Sequence, residues 1–294
     1  MSWIIFTILA TILQTFRTLE QKTLNKKLDL LTVSWSRFIL PFPIALGFVL
    51  YTFSLVDQKF IFLCAFTGFF QIAGNLFFLK TIQSKNLGVG IAFYKTEILQ
   101  SLFLGVIFFN QSVSLIGFFA IVITSIGMIM MSNLKLKNFR DNIDKAAICG
   151  ALSGLCFSFS AFGIKFSAQS LINYGYSDFS AATIVLMWVI CFQNIYFGIV
   201  KSAQNRFVCD IKNLFAAENT ATILKTGMFS ILASLCWFSA YAIGNVVYVK
   251  AVGQMELILG VLISCWHLKE KQKASELTGI ALTSLGILTL ILFH

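Results

Sequence analysis

Ten long apolar stretches, separated by polar connections that are mostly very short, dominate the chain. Each is close to the roughly 20 apolar residues that a helix needs to cross a bilayer core. None shows the alternating pattern of a membrane β-strand, so the sequence predicts ten transmembrane helices. They occupy residues 3–19, 31–55, 60–80, 87–109, 112–131, 146–165, 179–200, 224–244, 246–268 and 275–293.

An internal repeat relates the first half of the chain to the second. Residues 123–129 (ITSIGMI) match residues 282–288 (LTSLGIL), and upstream Glu97-Ile98-Leu99 matches Glu256-Leu257-Ile258. The glutamate and the glycine of each copy are thirty residues apart in both halves. Two independent landmarks at one offset indicate a duplicated unit.

The repeat predicts the fold and its division. We expect an all-α membrane protein with ten transmembrane helices as two inverted five-helix repeats, because an odd number of spans makes the copies enter the membrane from opposite sides. The first repeat is predicted at 1–138 and the second at 139–294, in a single compact transmembrane bundle. Inverted repeats are typical of secondary transporters, which bind substrate near the midplane between the halves.

Composition excludes several other classes of protein. The chain is 58% hydrophobic and 12% charged, whereas about a quarter of residues are charged in ordinary soluble proteins. The seven cysteines form no C-x-x-C pair, so neither a disulfide framework nor a zinc site is indicated. The net charge of +10 is scattered without long basic runs, which favours lipid headgroups over nucleic acid as its partners.

The distribution of basic residues predicts the orientation. Two of them, Lys59 and Lys165, lie in even-numbered connections, and about sixteen lie in or beside odd-numbered ones. The positive-inside rule therefore puts the odd connections in the cytoplasm and both termini on the non-cytoplasmic side. The sixteen are Lys22, Lys26, Lys27, Lys80, Lys85, Lys135, Lys137, Arg140, Lys145, Lys201, Arg206, Lys212, Lys225, Lys269, Lys271 and Lys273.

Four motifs make the chain resemble the drug/metabolite transporter superfamily, in its EamA-like ten-helix branch. They are Ala92–Glu97 in the fourth stretch, Gly253–Leu257 and Leu268-Lys269-Glu270 in the ninth, and Leu277–Ile280 with Gly286 in the tenth. The resemblance implies alternating-access transport, a bacterial inner membrane, and a central cavity walled partly by helices four and nine. Many members carry a proline in those two helices, whereas both prolines here, Pro41 and Pro43, lie in the second stretch.

Six ionisable side chains lie inside the predicted spans, where each costs about 2.5–3.5 kcal/mol on insertion scales. Arg17 is three residues from Glu20, so we expect a local ion pair or an interfacial position for it. For Arg37 we expect either that it neutralises a substrate anion or that it reaches the membrane–water interface. The six are Arg17, Arg37, Lys95, Glu97, Lys250 and Glu256.

Glu97 and Glu256 occupy equivalent repeat positions, so pseudo-symmetry would bring them to one central zone, near Lys95 and Lys250. Lys95 and Glu97 point about 200° apart on a regular helix and cannot pair with each other. In one interpretation, lysine meets a substrate carboxylate while glutamate meets an ammonium or carries a coupling proton. In the other, inter-repeat salt bridges fix the bundle and contact no cargo.

The predicted substrate-binding set adds polar and aromatic neighbours to these charges, since aromatic walls stack planar cargo or surround an ammonium. Glu97 and Glu256 are the proton-coupling candidates, because a carboxylate inside a span can take up and release a proton during transport. The set is Arg37, Asn75, Tyr94, Lys95, Glu97, Trp237, Tyr241, Lys250 and Glu256.

Motifs for catalysis are missing from the sequence. There is no H-E-x-x-H, G-x-S-x-G or P-loop, and the two histidines are too few for a metal site, so we expect neither an enzyme, a metal nor a cofactor. The preferred cargo is an amino acid or a derivative of one, and the alternative is a nucleotide-like or adenosine-containing cofactor. A non-transporting membrane scaffold subunit is the alternative of another class. The expected partners are a small-molecule substrate and the lipid bilayer, with no nucleic acid, for a monomer or a homodimer.

Overall fold

The computed structural model describes residues 2–25, 27–82, 87–131, 145–259 and 274–293. Within these ranges the regular structure is helical, with no strand. The helices are α1 (Ser2–Leu24), α2 (Leu30–Ile39), α3 (Phe42–Thr52), α4 (Gln58–Ile82), α5 (Leu87–Lys95), α6 (Glu97–Phe108), α7 (Leu115–Met131), α8 (Lys145–Asn173), α9 (Asp178–Ala203), α10 (Phe207–Leu214), α11 (Ala217–Ile243), α12 (Val246–Val252) and α13 (Ala274–Phe293). Residues 255–259 are also helical.

Seven of the described segments are long and apolar enough to cross a membrane, and an eighth is the broken pair of α2 and α3. That pair bends by 54° where Pro41 and Pro43 fall. Proline lacks a backbone N–H and its ring clashes with the preceding turn, so it ends a helix or starts a new one. The second predicted stretch is therefore two helices at an angle.

The fifth and ninth predicted stretches fall short of a full span within the described residues. α7 has 17 residues, and the ninth stretch is described only as far as Leu259. Its remainder, including Leu268-Lys269-Glu270, lies outside the described residues, as do residues 132–144 of the predicted connection. The second long connection, predicted as non-helical, contains the short helix α10.

The outer surface of the bundle is apolar, as is typical of a surface that faces lipid. Large apolar side chains such as Ile44, Leu50 and Phe62 are mostly exposed. In a soluble protein such a surface would promote aggregation. The core between the helices contains many small residues as well as aromatic rings, so the backbones pack closely.

Helix packing follows a regular pattern between the two halves of the chain. The most extensive contacts join α1 with α11, α4 with α8, and α7 with α13. In the predicted numbering of spans these are helices one and eight, three and six, and five and ten. Exchanging the two halves, so that helix one takes the place of helix six and so on, would turn the contact between helices one and eight into the contact between helices six and three. The contact between helices five and ten would be turned into itself.

Glycines make the same pattern visible at the level of atoms. A side chain at Gly127 of α7 would collide with Thr283 of α13, and one at Gly286 of α13 would collide with Thr124 of α7. Gly127 and Gly286 are equivalent in the sequence repeat, as are Thr124 and Thr283. The contact between α7 and α13 is thus reciprocal.

Candidate functional site

Both helices that carry the repeated glutamates are interrupted beside them. α5 ends at Lys95 and α6 starts at Glu97, and between them the Thr96 N–H donates to the Phe93 carbonyl at 3.2 Å, three residues back instead of four. In the second half α12 ends at Val252, and the Gln254 N–H donates to the Ala251 carbonyl at 3.2 Å. Transporters use such interruptions to expose backbone and polar groups to a cargo site.

Glu97 forms an ion pair with Lys250, which connects the two halves of the chain. The Lys250 ammonium also donates to the Phe157 carbonyl of α8 at 3.1 Å. Both side chains are buried, with 7% of Glu97 and 4% of Lys250 exposed. Lys250 is therefore a buried cation that already has a carboxylate and a carbonyl as partners.

Glu256 has a different kind of partner. Its Oε2 accepts a hydrogen bond from Gln14 Nε2 at 2.7 Å, and Gln14 Oε1 accepts one from Trp237 Nε1 at 2.9 Å. The Trp237 ring stacks on Tyr241, with centroids 5.6 Å apart. A continuous chain of contacts therefore runs from α11 through α1 to Glu256, which is only partly buried.

Lys95 and Arg17 are buried cations without an ion pair among the described residues. Lys95 is 7% exposed, and its ammonium lies 5.0 Å from the centroid of the Tyr94 ring. Arg17 is 8% exposed, and its Nε has no hydrogen-bond partner. Both side chains interact electrostatically with Glu256. The Glu256 carboxylate thus interacts with both buried cations.

The expected local pair between Arg17 and Glu20 is wrong. Glu20 lies 3.8 Å from Lys225 of α11, and Arg17 instead faces the charged cluster. Arg37 joins the same cluster from α2: it is partly buried, its Nε has no partner, and it interacts electrostatically with Arg17 and Tyr94. Its guanidinium carbon also lies 4.9 Å from the ring of Phe38.

Two other members of the predicted set are held by neighbouring helices. Asn75 of α4 donates a hydrogen bond to Ser34 of α2. The Tyr94 ring packs against Phe78, with centroids 4.7 Å apart, and interacts electrostatically with both arginines and Tyr241. Tyr94 is therefore central to the cluster, and Asn75 has Ser34 as its hydrogen-bond partner.

The cluster carries a positive surplus. Four cations (Arg17, Arg37, Lys95 and Lys250) face two carboxylates, Glu97 and Glu256. Sequence reasoning missed the parts that Gln14 and Arg17 play. Their separation of three residues places both on one face of α1, within its predicted span, which is the signal that would have found them.

A second group of charges lies elsewhere and joins α9, α10 and the start of α2. The fully buried Lys201 ammonium is 2.7 Å from Asp210 Oδ2 and 3.1 Å from Asp29 Oδ2. Burial raises the pKa of Asp29, but hydrogen bonds from Thr32 and Lys201 and the charge of Lys201 outweigh it and hold that pKa below its ordinary value. Every charge in this group has a partner, as in a structural network.

Within the part of the chain that the structure describes, no group of three or more His, Cys, Asp or Glu side chains is arranged to hold an ion.

Comparison with known proteins supports a membrane-transport setting. The model of the EamA-like transporter family matches residues 1–133, which confirms the resemblance in that part of the chain. A solved structure titled only "Crystal structure of protein" superposes with a TM-score of 0.73 at 11% identity, covering 99% of this chain and 97% of the other. At that identity the likeness concerns the fold alone. No curated protein matches the sequence. With its long apolar helices, the chain is a multi-pass membrane protein.

Proposed function

We propose that the chain, over its whole length, is a secondary transporter of small metabolites that works by alternating access. One observation carries the proposal: buried cations that form no ion pair with a described residue gather beside two interrupted helices, between the halves of an apolar helical bundle. A charge inside a membrane protein is costly, and its usual compensation is a function such as substrate binding. The family match over residues 1–133 agrees with this.

We further propose that the bundle consists of ten spans in two inverted five-helix repeats, divided near residue 138. The reciprocal contact of Gly127 with Thr283 and of Gly286 with Thr124 is what a two-fold relation between the halves would produce. The two interruptions also lie within three residues of Glu97 and of Glu256, which are equivalent repeat positions. The family match ends five residues before the proposed boundary, which fits one repeat.

The preferred cargo is an amino acid or an amino-acid derivative. Its carboxylate would bind the cations that have no ion pair, and its ammonium would bind Glu256 and the faces of Tyr94 and Tyr241. Glu256 is the better proton carrier, because an amide is its hydrogen-bond partner and it remains partly exposed. Glu97 already has Lys250 as a close counter-ion, so its protonation would leave a buried ammonium unpaired.

A second cargo class, a nucleotide-like or adenosine-containing cofactor, is favoured by one feature. The stacked pair of Trp237 and Tyr241 lies beside a cluster with two surplus cations. Aromatic rings stack on a base, and the cations would neutralise a phosphate.

We also propose a bacterial inner-membrane location with both termini on the non-cytoplasmic side, as the distribution of basic residues indicates. The functional unit is a monomer or a homodimer. A tag at either end of the chain, probed with protease in spheroplasts from which the outer membrane has been removed, should be accessible from outside. Protection of both tags would reverse the orientation.

Uptake by proteoliposomes tests the function. Vesicles containing the wild-type chain are incubated with a mixture of amino acids or with a mixture of nucleotides, and the internal contents are measured by mass spectrometry. We expect accumulation of at least one amino acid, stimulated by a proton gradient in the wild type and insensitive to that gradient in Glu256→Gln. Accumulation of a nucleotide alone selects the second cargo class, and no uptake from either mixture favours a non-transporting scaffold.

A further inference from the structure

We propose that Arg17 and Arg37 together form a subsite for an oxyanion, a carboxylate or a phosphate group, on the transported molecule. The inference rests on the proposed function, since it specifies which end of the cargo is held and by which side chains. It assigns a binding role to Arg17, the charge for which the sequence suggested only a structural one.

Unsatisfied hydrogen-bonding capacity is the first argument. A guanidinium has five N–H donors and no acceptor, and leaving a buried donor without a partner costs free energy. Nε of Arg17 and Nε of Arg37 are both buried atoms without a hydrogen-bond partner in the described structure. Arg17 is more than nine-tenths buried and makes no ion pair with a described residue. Both side chains are therefore ready to donate.

Repulsion is the second argument. Arg17 and Arg37 interact with each other as like charges, and in a medium of low dielectric constant that interaction is unfavourable. Glu256 is the carboxylate that faces Arg17, but it also faces Lys95 and already accepts a hydrogen bond from Gln14. An oxyanion between the two guanidinium groups would remove the repulsion and fill both sets of donors.

The residue type is the third argument. Arginine presents a planar fork that binds carboxylate or phosphate through two parallel hydrogen bonds, which lysine cannot do. The two forks come from α1 and from α2, the next helix along the chain, and a group bound by both would connect these helices. Tyr94 interacts with both arginines and with Tyr241, so the rest of the cargo would extend along these two rings.

Thermal unfolding of the purified full-length chain tests the subsite. The probes are succinate, which represents a carboxylate, and inorganic phosphate, which represents a phosphate group. Each is compared with chloride at equal ionic strength, so the two oxyanion types are tested separately. We expect at least one probe to stabilise the wild type in a saturable way. Arg37→Gln should weaken that apparent affinity at least about tenfold, since a charged hydrogen bond is lost. Arg17→Lys, which keeps the charge but not the fork, should also weaken it. Lys225→Gln removes an exposed cation outside the cluster and is the matched control.

The chain without anion distinguishes a binding role from a structural one. Without an anion, Arg37→Gln removes the repulsion between the two arginines. This variant should therefore unfold at the same temperature as the wild type or at a higher one. A clearly lower unfolding temperature, an equal response of both chains to the probe, or no stabilisation of the wild type by either probe overturns the proposal.

Failure of the subsite and failure of the transporter remain distinguishable. If cargo is taken up with an unchanged KM by Arg37→Gln, the subsite is wrong and transport stands. If the probe binds through both arginines but no cargo crosses the membrane, the subsite stands and the transporter does not.

Discussion

Replacing Gly127 with alanine probes the contact between α7 and α13. The new Cβ would lie 2.7 Å from both the Gly279 carbonyl oxygen and the Thr283 backbone nitrogen. These are backbone atoms of a helix and cannot rotate away, so the helices must separate by about 1 Å to restore ordinary contacts. Overpacking of this kind costs about 1–3 kcal/mol. The higher helix propensity of alanine returns about 0.5–1 kcal/mol, so we expect a net loss of about 1–2 kcal/mol.

Reversible unfolding in mixed detergent micelles, followed by tryptophan fluorescence, measures this loss. Gly286→Ala should cost a similar amount, because its Cβ would lie 2.7 Å from the Ala120 carbonyl oxygen in the reciprocal contact. The matched control is Gly47→Ala in α3, where nothing lies within 4 Å of the added Cβ. That substitution should be neutral or slightly stabilising.

Coupling between the two sites provides a sharper criterion. Once one alanine has separated α7 from α13, the second has less to displace, so the double variant should lose less than the sum of the single variants. A neutral Gly127→Ala, or a large cost at Gly127 with none at Gly286, would refute the reciprocal contact.

Three further predictions concern polar contacts. Gln14→Leu should lower the free energy of unfolding by about 1–3 kcal/mol, because Glu256 loses its donor; an undiminished loss in a Glu256→Gln background would contradict this. Lys201→Met should cost about 3 kcal/mol, because buried Asp210 keeps only the half-exposed Arg206 as its counter-ion, whereas exposed Lys225→Met should not, and equal unfolding midpoints would disprove the difference. Because the pKa of Asp29 is lowered on folding, its contribution is present above about pH 4 and is lost as pH falls further; Asp29→Asn should flatten a stability profile from pH 6 to pH 2, and an unchanged profile would reject it.

Hydrophobic length predicted where most of the described helices lie. A run of about 20 apolar residues has few stable structures other than a helix in a bilayer, and the helical segments fall where the apolar stretches lie. The bend between α2 and α3 also had a visible signal in Pro41 and Pro43. The interruption at Thr96 had no such signal, because no proline or glycine lies at that position.

The candidate site was harder to predict, because pairing across helices is not visible in sequence. Arg17 and Glu20 are near neighbours along the chain, yet Glu20 meets Lys225 of α11 and Arg17 meets the cluster around Glu256. Lys250 is the partner of Glu97 although 153 residues separate them. Composition identified the charged residues, but only the tertiary structure assigned their partners.

Access to the charged cluster from both sides of the membrane tests the central claim most directly. In a background with the seven native cysteines replaced, Tyr94→Cys is exposed to a membrane-impermeant thiol reagent from either face of oriented vesicles, with lipid-facing Leu50→Cys as the control. A transporter that alternates around this cluster predicts labelling of residue 94 from both faces, slowed by the transported amino acid, and none at residue 50. Labelling of residue 94 from one face only, or from neither, would contradict it.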